Sequence, residues 1–175
     1  MEPLSTTRIQ RPFHWGLAVL VGEDWTGEYP EVDPDTAVTA SDRVLLVPVI
    51  HAQDSDEFEG EYLKFAQAEV VVRRWERAPP SLSPLQEVYR GHLVLPAGIL
   101  TIGDADEWVT VPVSADVNEV WVSYDEGASR DGSPERVWVD LAPASETTPT
   151  PEVDDALDTP EDERHEAPSE PMFRT

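Results

Sequence analysis

The sequence predicts an all-β protein, an antiparallel β-sandwich of about seven strands with a disordered acidic C-terminal tail. Apolar and polar or small residues alternate with a period of two in several runs, which is typical of half-buried strands. Gly, Pro, Asp or Ser separate most of these runs, and such residues favour turns. No segment sustains the apolar stripe of an amphipathic helix, although residues 37–43 and 61–68 allow a short helical turn. We therefore predict a β-sandwich domain over residues 8–142.

The first predicted strand follows the alternation from Phe13 to Val21. Six further strands, rich in Val, Trp and Tyr, are predicted over residues 43–50, 67–76, 86–95, 108–113, 118–124 and 135–141. Pro48 and Pro112 fall inside two of these runs. Because proline lacks the N–H group that a ladder needs, we expect both strands to lie at sheet edges.

The last part of the chain, residues 143–175, has a different composition. Pro, Ser, Thr, Asp and Glu dominate it, and apolar residues are few. Burial of so little apolar surface does not offset the entropy of ordering the chain. We predict a disordered acidic tail here.

Net charge is the strongest indication of function. The 175 residues contain 36 Asp and Glu against 12 Lys and Arg, which gives a net charge of -24. Such self-repulsion destabilises a compact state, so the imbalance favours a basic partner. Direct binding of nucleic acid is not expected, because the only basic cluster, Arg73, Arg74 and Arg77, lies in a field that repels phosphate.

Several classes of enzyme and site are disfavoured by composition. The chain has no cysteine and four histidines, and phosphate-binding glycine motifs are missing, so we expect no cofactor, no metal and no catalytic residues. No apolar run is long enough to cross a bilayer, and the first residues do not resemble a secretory signal. We expect a cytoplasmic protein that does not bind membranes, and the sequence leaves the oligomeric state open.

Carboxylates cluster between the predicted strands, and loops at one end of a sandwich meet in space. A merged acidic surface there would match the phosphate-binding groove of a basic protein such as a nuclease. Evenly solvated acidic residues are the alternative, and a calcium site in residues 54–61 fits the usual ligand spacing poorly. The predicted partner-binding residues are Asp54, Asp56, Glu57, Glu59, Asp104, Asp106 and Glu107, with Trp25 or Phe58 as an anchor.

Two other functions stay open at this point. Trp121 and Trp138 lie on the strand faces opposite to their valine neighbours, and exposed rings there would stack on sugars or anchor a protein partner. That alternative is a carbohydrate- or protein-binding β-sandwich module. A hydrolase with paired carboxylates is the third, since such a pair leaves no mark in a sequence so rich in acids.

Two segments carry a resemblance to a known family. They read LVLPAGILTIGD, at residues 93–104, and ERVWVDLAPA, at residues 135–144, and the aromatic and valine alternation of residues 11–21 adds to them. Together they resemble the competence protein J family of small bacterial β-sandwich proteins over most of residues 8–144. The resemblance implies an inhibitor that binds and restrains a nuclease, with no catalytic residues to carry over.

Overall fold

The structure is a computed structural model that describes residues 1–55, 57–81, 84–104, 107–114, 116–125, 129–130 and 133–144, with only the backbone for 129–130. The predicted tail lies outside the described residues apart from Pro143 and Ala144. Within the described ranges the strands are β1 (Ser5–Arg11), β2 (Leu17–Gly22), β3 (Thr39–Ala40), β4 (Val44–Pro48), β5 (Phe58–Glu59), β6 (Tyr62–Leu63), β7 (Ala68–Arg74), β8 (Gln86–Leu95), β9 (Ile99–Asp104), β10 (Glu107–Pro112), β11 (Asp116–Tyr124), β12 (Ser129–Arg130), β13 (Ser133–Pro134) and β14 (Arg136–Pro143).

Ten of these strands form two five-stranded sheets. The first sheet has the order β1-β7-β14-β11-β8, and the second has the order β10-β9-β2-β4-β3. Neighbouring strands are antiparallel except for β7 and β14, which run parallel. The short hairpins β5–β6 and β12–β13 stand apart from both sheets. The predicted all-β sandwich is therefore confirmed, with one parallel pair inside it.

The core lies between the two sheets. Alternate residues of the first sheet, such as Val70 and Val139, share one buried apolar cluster with Leu20, Leu45 and Ile102 of the second. Each of these side chains is fully buried, or nearly so. Side chains alternate between the two faces of a strand, so the period-two pattern of the sequence sets which residues enter this cluster. Burial of the apolar area, at about 25 cal/mol per Å², is the main stabilising contribution.

Pro48 and Pro112, the two prolines inside predicted strands, each end a strand. Pro112 ends β10, which is an edge strand of the second sheet. Pro48 ends β4, two residues beyond Leu46, the last residue of β4 that pairs with β3. The predicted edge position is therefore confirmed for the strand that contains Pro112. It is wrong for β4, which lies between β2 and β3 in the sheet. Pro48 is accommodated there because it lies beyond the residues of β4 that pair with β3.

Other details of the prediction differ from the structure. The expected helical turns are wrong, since residues 37–43 contain β3 and residues 61–68 contain β6. The alternation also does not reveal β1 and β9. In β1 only Ile9 is an apolar residue that faces the core, and the next inward residue is the buried Arg11. Its inward face therefore does not look apolar in sequence. We find no helix with the length and apolar character needed to span a bilayer in the described part of the chain.

Candidate functional site

A tight turn between β1 and β2 organises one end of the sandwich. Phe13, at the centre of this turn, is fully buried, and its carbonyl oxygen accepts hydrogen bonds from the backbone N–H groups of Gly16 and Ala52 at 3.2 and 3.0 Å. Gly16 has a φ of 63°, which a residue with a side chain adopts only at a cost. The Ala52 bond ties the segment after β4 to this turn, so the chain enters its next element at a fixed place.

That next element is an exposed hairpin made by β5 and β6, which we call the acidic hairpin (residues 54–65). Phe65 at its base packs edge-on against His14, with ring centroids 5.3 Å apart. Phe58 and Tyr62 are 70% and 80% exposed, and Gly60 at the tip has a φ of 67° with open space around it. The hairpin is therefore attached at its base and displays aromatic rings to solvent.

Carboxylates surround these rings. Glu57 forms an ion pair with Lys64 at 3.1 Å, but both side chains are more than half exposed, so the pair contributes little to stability. Asp54, Glu59 and Glu61 are exposed and have no ion-pair partner among the described residues. The predicted Asp56 lies outside the described residues. The acidic hairpin thus combines a local negative charge with exposed aromatic surface.

The second predicted cluster, residues 104–107, reaches the same end of the sandwich but is built differently. Asp104 is fully buried and accepts hydrogen bonds from Arg11 Nη2 at 2.9 Å and from the Trp15 backbone N–H at 3.1 Å. A buried carboxylate with internal partners does not present charge to a partner protein, so Asp104 is a structural residue. Glu107 is exposed, and its carboxylate lies 3.5 Å from Arg11 Nη2. Asp106 lies outside the described residues.

The turn of residues 12–16 contacts both the base of the acidic hairpin and Asp104 of the second predicted cluster. His14 contacts the acidic hairpin, and its neighbour Trp15, which is 50% exposed, is bonded to Asp104. Sequence reasoning did not select Tyr62, Phe65 or Trp15. The signal for the first two was available, since aromatic residues interspersed with carboxylates in a segment too short for a core strand indicate an exposed surface.

Trp25 lies on a different surface. It packs against the outer face of the second sheet, on an apolar cluster that includes Val19, Val21 and Val44. Its ring lies 4.7 Å from that of Tyr29. The structure therefore separates Trp25 from Phe58, the other predicted anchor, and places Trp25 in the acidic segment of residues 23–35.

The outer face of the first sheet carries three tryptophans, Trp75, Trp121 and Trp138. Trp75 and Trp121 are only 5% and 4% exposed. Arginine side chains cover the indoles, with Arg73 lying 4.6 Å from the ring centroid of Trp138 and Arg90 lying 5.4 Å from that of Trp121. Cation–π contacts of this kind stabilise the fold and occupy the ring faces. Trp121 is therefore buried, whereas Trp138 stays partly exposed with an arginine side chain over its ring.

These arginines are also neutralised by carboxylates. Arg73 donates two hydrogen bonds of 2.7 Å to Asp140, and Trp75 Nε1 donates a third of 2.6 Å. The Arg73–Asp140 pair is bidentate, which is the strong form of ion pair. Arg90 differs, because its Nε and Nη2 atoms both donate to a single oxygen of Glu119, Oε1.

Glu69 is the third centre of this kind, and it contacts both Arg8 and Arg136. The hydrogen bond from Arg8 is the main cause that lowers the pKa of Glu69. Ion pairs thus join positive and negative side chains on the outer face of the first sheet, and most unpaired carboxylates of the described residues lie on loops.

A metal site in the acidic clusters would need several donor side chains around one point. Within the ranges that the structure describes, no three His, Cys, Asp or Glu side chains are grouped closely enough to hold an ion. The hairpin carboxylates point into solvent rather than toward a common centre. Their arrangement is better suited to contact with a charged surface than to chelation.

Comparison with known proteins gives a likeness of fold. No family model matches the chain, and no curated protein matches its sequence. One similar solved structure is ComJ from Bacillus subtilis, an inhibitor of the DNA degrading activity of NucA, with a TM-score of 0.53, 9% identity, and coverage of 82% of this chain and 98% of ComJ. Another is the protein of crocagin biosynthetic gene J, with a TM-score of 0.50, 13% identity, and coverage of 81% and 98%. The predicted resemblance to the competence protein J family is confirmed as a resemblance of fold.

Proposed function

We propose that this chain is a non-catalytic binding protein that inhibits a basic, nucleic-acid-acting protein such as a nuclease. The observation that carries the proposal is the acidic hairpin, which joins exposed carboxylates and exposed aromatic rings on one projecting element. The fold shared with ComJ, an inhibitor of a nuclease, supports the same function.

Charge placement supports capture of a basic partner. The outer face of the first sheet is balanced by its ion pairs, so attraction is directed through the loops and the acidic hairpin. Surface charges act over about 8 Å at physiological ionic strength. Attraction to a basic groove therefore speeds association at low salt and weakens as salt rises.

The aromatic rings supply the second component of binding. Few interface residues contribute most of the binding free energy, and buried aromatic side chains are common among them. Phe58 and Tyr62 are the most exposed aromatic side chains in the described part of the chain. A partner that buries these two rings would gain apolar contact from them. The carboxylates of Glu57 and Glu59, beside Phe58 in sequence, would contact basic residues next to that apolar contact.

The test uses the full chain immobilised on resin and exposed to native lysate of the source organism at low and high salt. Proteins that elute at high salt are assayed for cleavage of DNA and RNA, with and without added soluble chain. We expect a recovered basic nuclease to lose activity in proportion to added chain. The change Phe58→Ala should weaken inhibition by roughly 30-fold, which corresponds to about 2 kcal/mol for an anchor residue.

Matched charge variants separate the hairpin from overall acidity. The triple variant Asp54→Asn, Glu57→Gln, Glu59→Gln removes three negative charges from the hairpin, and Glu2→Gln, Asp42→Asn, Glu87→Gln removes three elsewhere. Only the hairpin variant should lose inhibition. Equal inhibition by both variants, or retention that does not change with salt, would contradict the proposal.

A further inference from the structure

A second candidate site lies on the outer face of the second sheet. It is a cavity of about 170 Å³ lined by the rings of Trp25, Tyr29 and Trp108, with Glu23 and Thr101 among its other lining residues. The Trp25 and Tyr29 rings are inclined at 35° to each other. Trp108 and Tyr29 are 38% and 44% exposed, so the cavity is open to solvent on one side.

The tryptophan rings are held by the sheet below them. Trp108 lies over Gly103, its partner in the β9–β10 ladder, and a Cβ atom at that glycine would come within 3.0 Å of the ring. Trp25 rests on the apolar cluster that contains Val19 and Val21. The indole faces are therefore set in place before any ligand arrives, which lowers the entropic cost of binding.

Polar groups at the cavity can accept hydrogen bonds. The Glu23 backbone N–H bonds to the Ile99 carbonyl oxygen at 3.3 Å, while its carboxylate has no ion-pair partner among the residues that the structure describes. The Thr101 hydroxyl oxygen is buried beneath the cavity and has no hydrogen-bond partner in the described chain. Arg43 does not compete for Glu23, because it bonds to both carboxylate oxygens of Asp24 at 3.0 Å.

We propose that this cavity binds the cationic head of an arginine or lysine side chain from a protein partner. Aromatic faces attract a cation through the ring quadrupole, and a guanidinium group also stacks flat on an indole. The Glu23 carboxylate supplies the opposite charge. The segment of residues 23–35 contains six acids and no base, so a basic polypeptide is the ligand that its charge matches. The inference stands apart from the proposed role of the acidic hairpin.

The test follows the six tryptophan indole N–H signals of the full chain by NMR during titration with acetyl-Gly-Arg-Gly-amide. Signals of Trp25 and Trp108 are assigned from Trp25→Phe and Trp108→Phe spectra. We expect these two signals to shift saturably, with a Kd of order 10 mM for a single side chain. The uncharged citrulline peptide, at the same ionic strength, should bind at least roughly tenfold more weakly.

Two variants decide the outcome. Glu23→Gln keeps the size of the side chain and should raise the Kd of the arginine peptide several-fold. Trp15→Phe changes an exposed tryptophan outside the cavity and should leave this Kd unchanged within twofold. Equal shifts with the arginine and citrulline peptides would overturn the proposal, as would a uniform, unsaturated drift of all six signals. Hairpin variants do not enter this test, so its failure leaves the proposed function standing.

Discussion

The buried carboxylate of Asp104 gives the sharpest test of how this structure uses its charge. Asp104 belongs to an acidic cluster that the sequence assigns to partner binding, yet it is fully buried and bonded to Arg11 and Trp15. If its role is structural, the isosteric change Asp104→Asn lowers the free energy of unfolding. If its role is binding, the same change leaves stability almost intact.

The size of the effect follows from the contacts. Removing one partner of a buried ion pair costs about 3 to 5 kcal/mol, because the other charge is left without compensation. The Arg11 side chain is 10% exposed and keeps a hydrogen bond of 2.6 Å to the Glu107 carbonyl oxygen. Because this bond remains, we expect Asp104→Asn to lower the free energy of unfolding by about 3 kcal/mol, at the lower end of that range. The total free energy of unfolding of a typical domain is roughly 5 to 15 kcal/mol.

The assay is urea unfolding of the full chain, followed by circular dichroism and tryptophan fluorescence. We expect a lower midpoint with an unchanged slope, which reports a loss of stability rather than a change in compactness. The double variant Arg11→Met, Asp104→Asn should lose less free energy of unfolding than the two single variants together. The difference should be about 2 kcal/mol. Glu107→Gln is the control, since its carboxylate is 77% exposed and should cost under about 0.5 kcal/mol. A loss below about 1 kcal/mol for Asp104→Asn would refute the structural role.

Two further predictions concern Tyr124 on β11 of the first sheet and Gly103 on β9 of the second. Burial raises the pKa of Tyr124 to about 12, and its hydroxyl donates to the Ala37 carbonyl oxygen at 2.9 Å. Because the folded pKa lies above the unfolded value, stability is full below about pH 10 and falls as pH rises to 12. Solvent screening of the partly exposed ring keeps the loss to about 1 to 2 kcal/mol, and Tyr124→Phe should remove it from alkaline unfolding curves. Gly103→Ala should destabilise the β9–β10 pair by at least about 2 kcal/mol, since its Cβ would lie 2.1 Å from the Glu107 carbonyl oxygen, and urea unfolding measures this.

Much of the fold could be predicted because its strands alternate visibly. The β14 sequence alternates Val137, Val139 and Leu141 with Trp138 and Asp140, and the apolar three enter the core. The parallel pairing of β7 with β14 could not be predicted in this way. Alternation specifies which face of a strand is buried, but it carries no information about the direction or identity of the neighbouring strand.

The edge strand β1 shows a second limit. Ile9 and Arg11 are the buried residues on its inward face. Because one of them is charged, the sequence of β1 does not resemble that of a half-buried strand. Arg11 can be buried because it forms an ion pair with Asp104, which lies some ninety residues away in sequence. For the same reason Asp104 could not be separated from exposed acids such as Glu107 by inspection of the sequence.

A net charge of -24 is compatible with a stable fold because of where the basic residues lie. Arg8, Arg73, Arg90 and Arg136 cover the outer face of the first sheet, and each contacts a carboxylate on a neighbouring strand. Like charges repel most strongly where water is excluded, so ion pairing on the sheets removes the costliest repulsion. Most unpaired carboxylates of the described residues are on loops and the acidic hairpin, where solvent screens them from one another. Because the scaffold pairs the arginines of the first sheet, those loop carboxylates stay available for the basic partner that we propose.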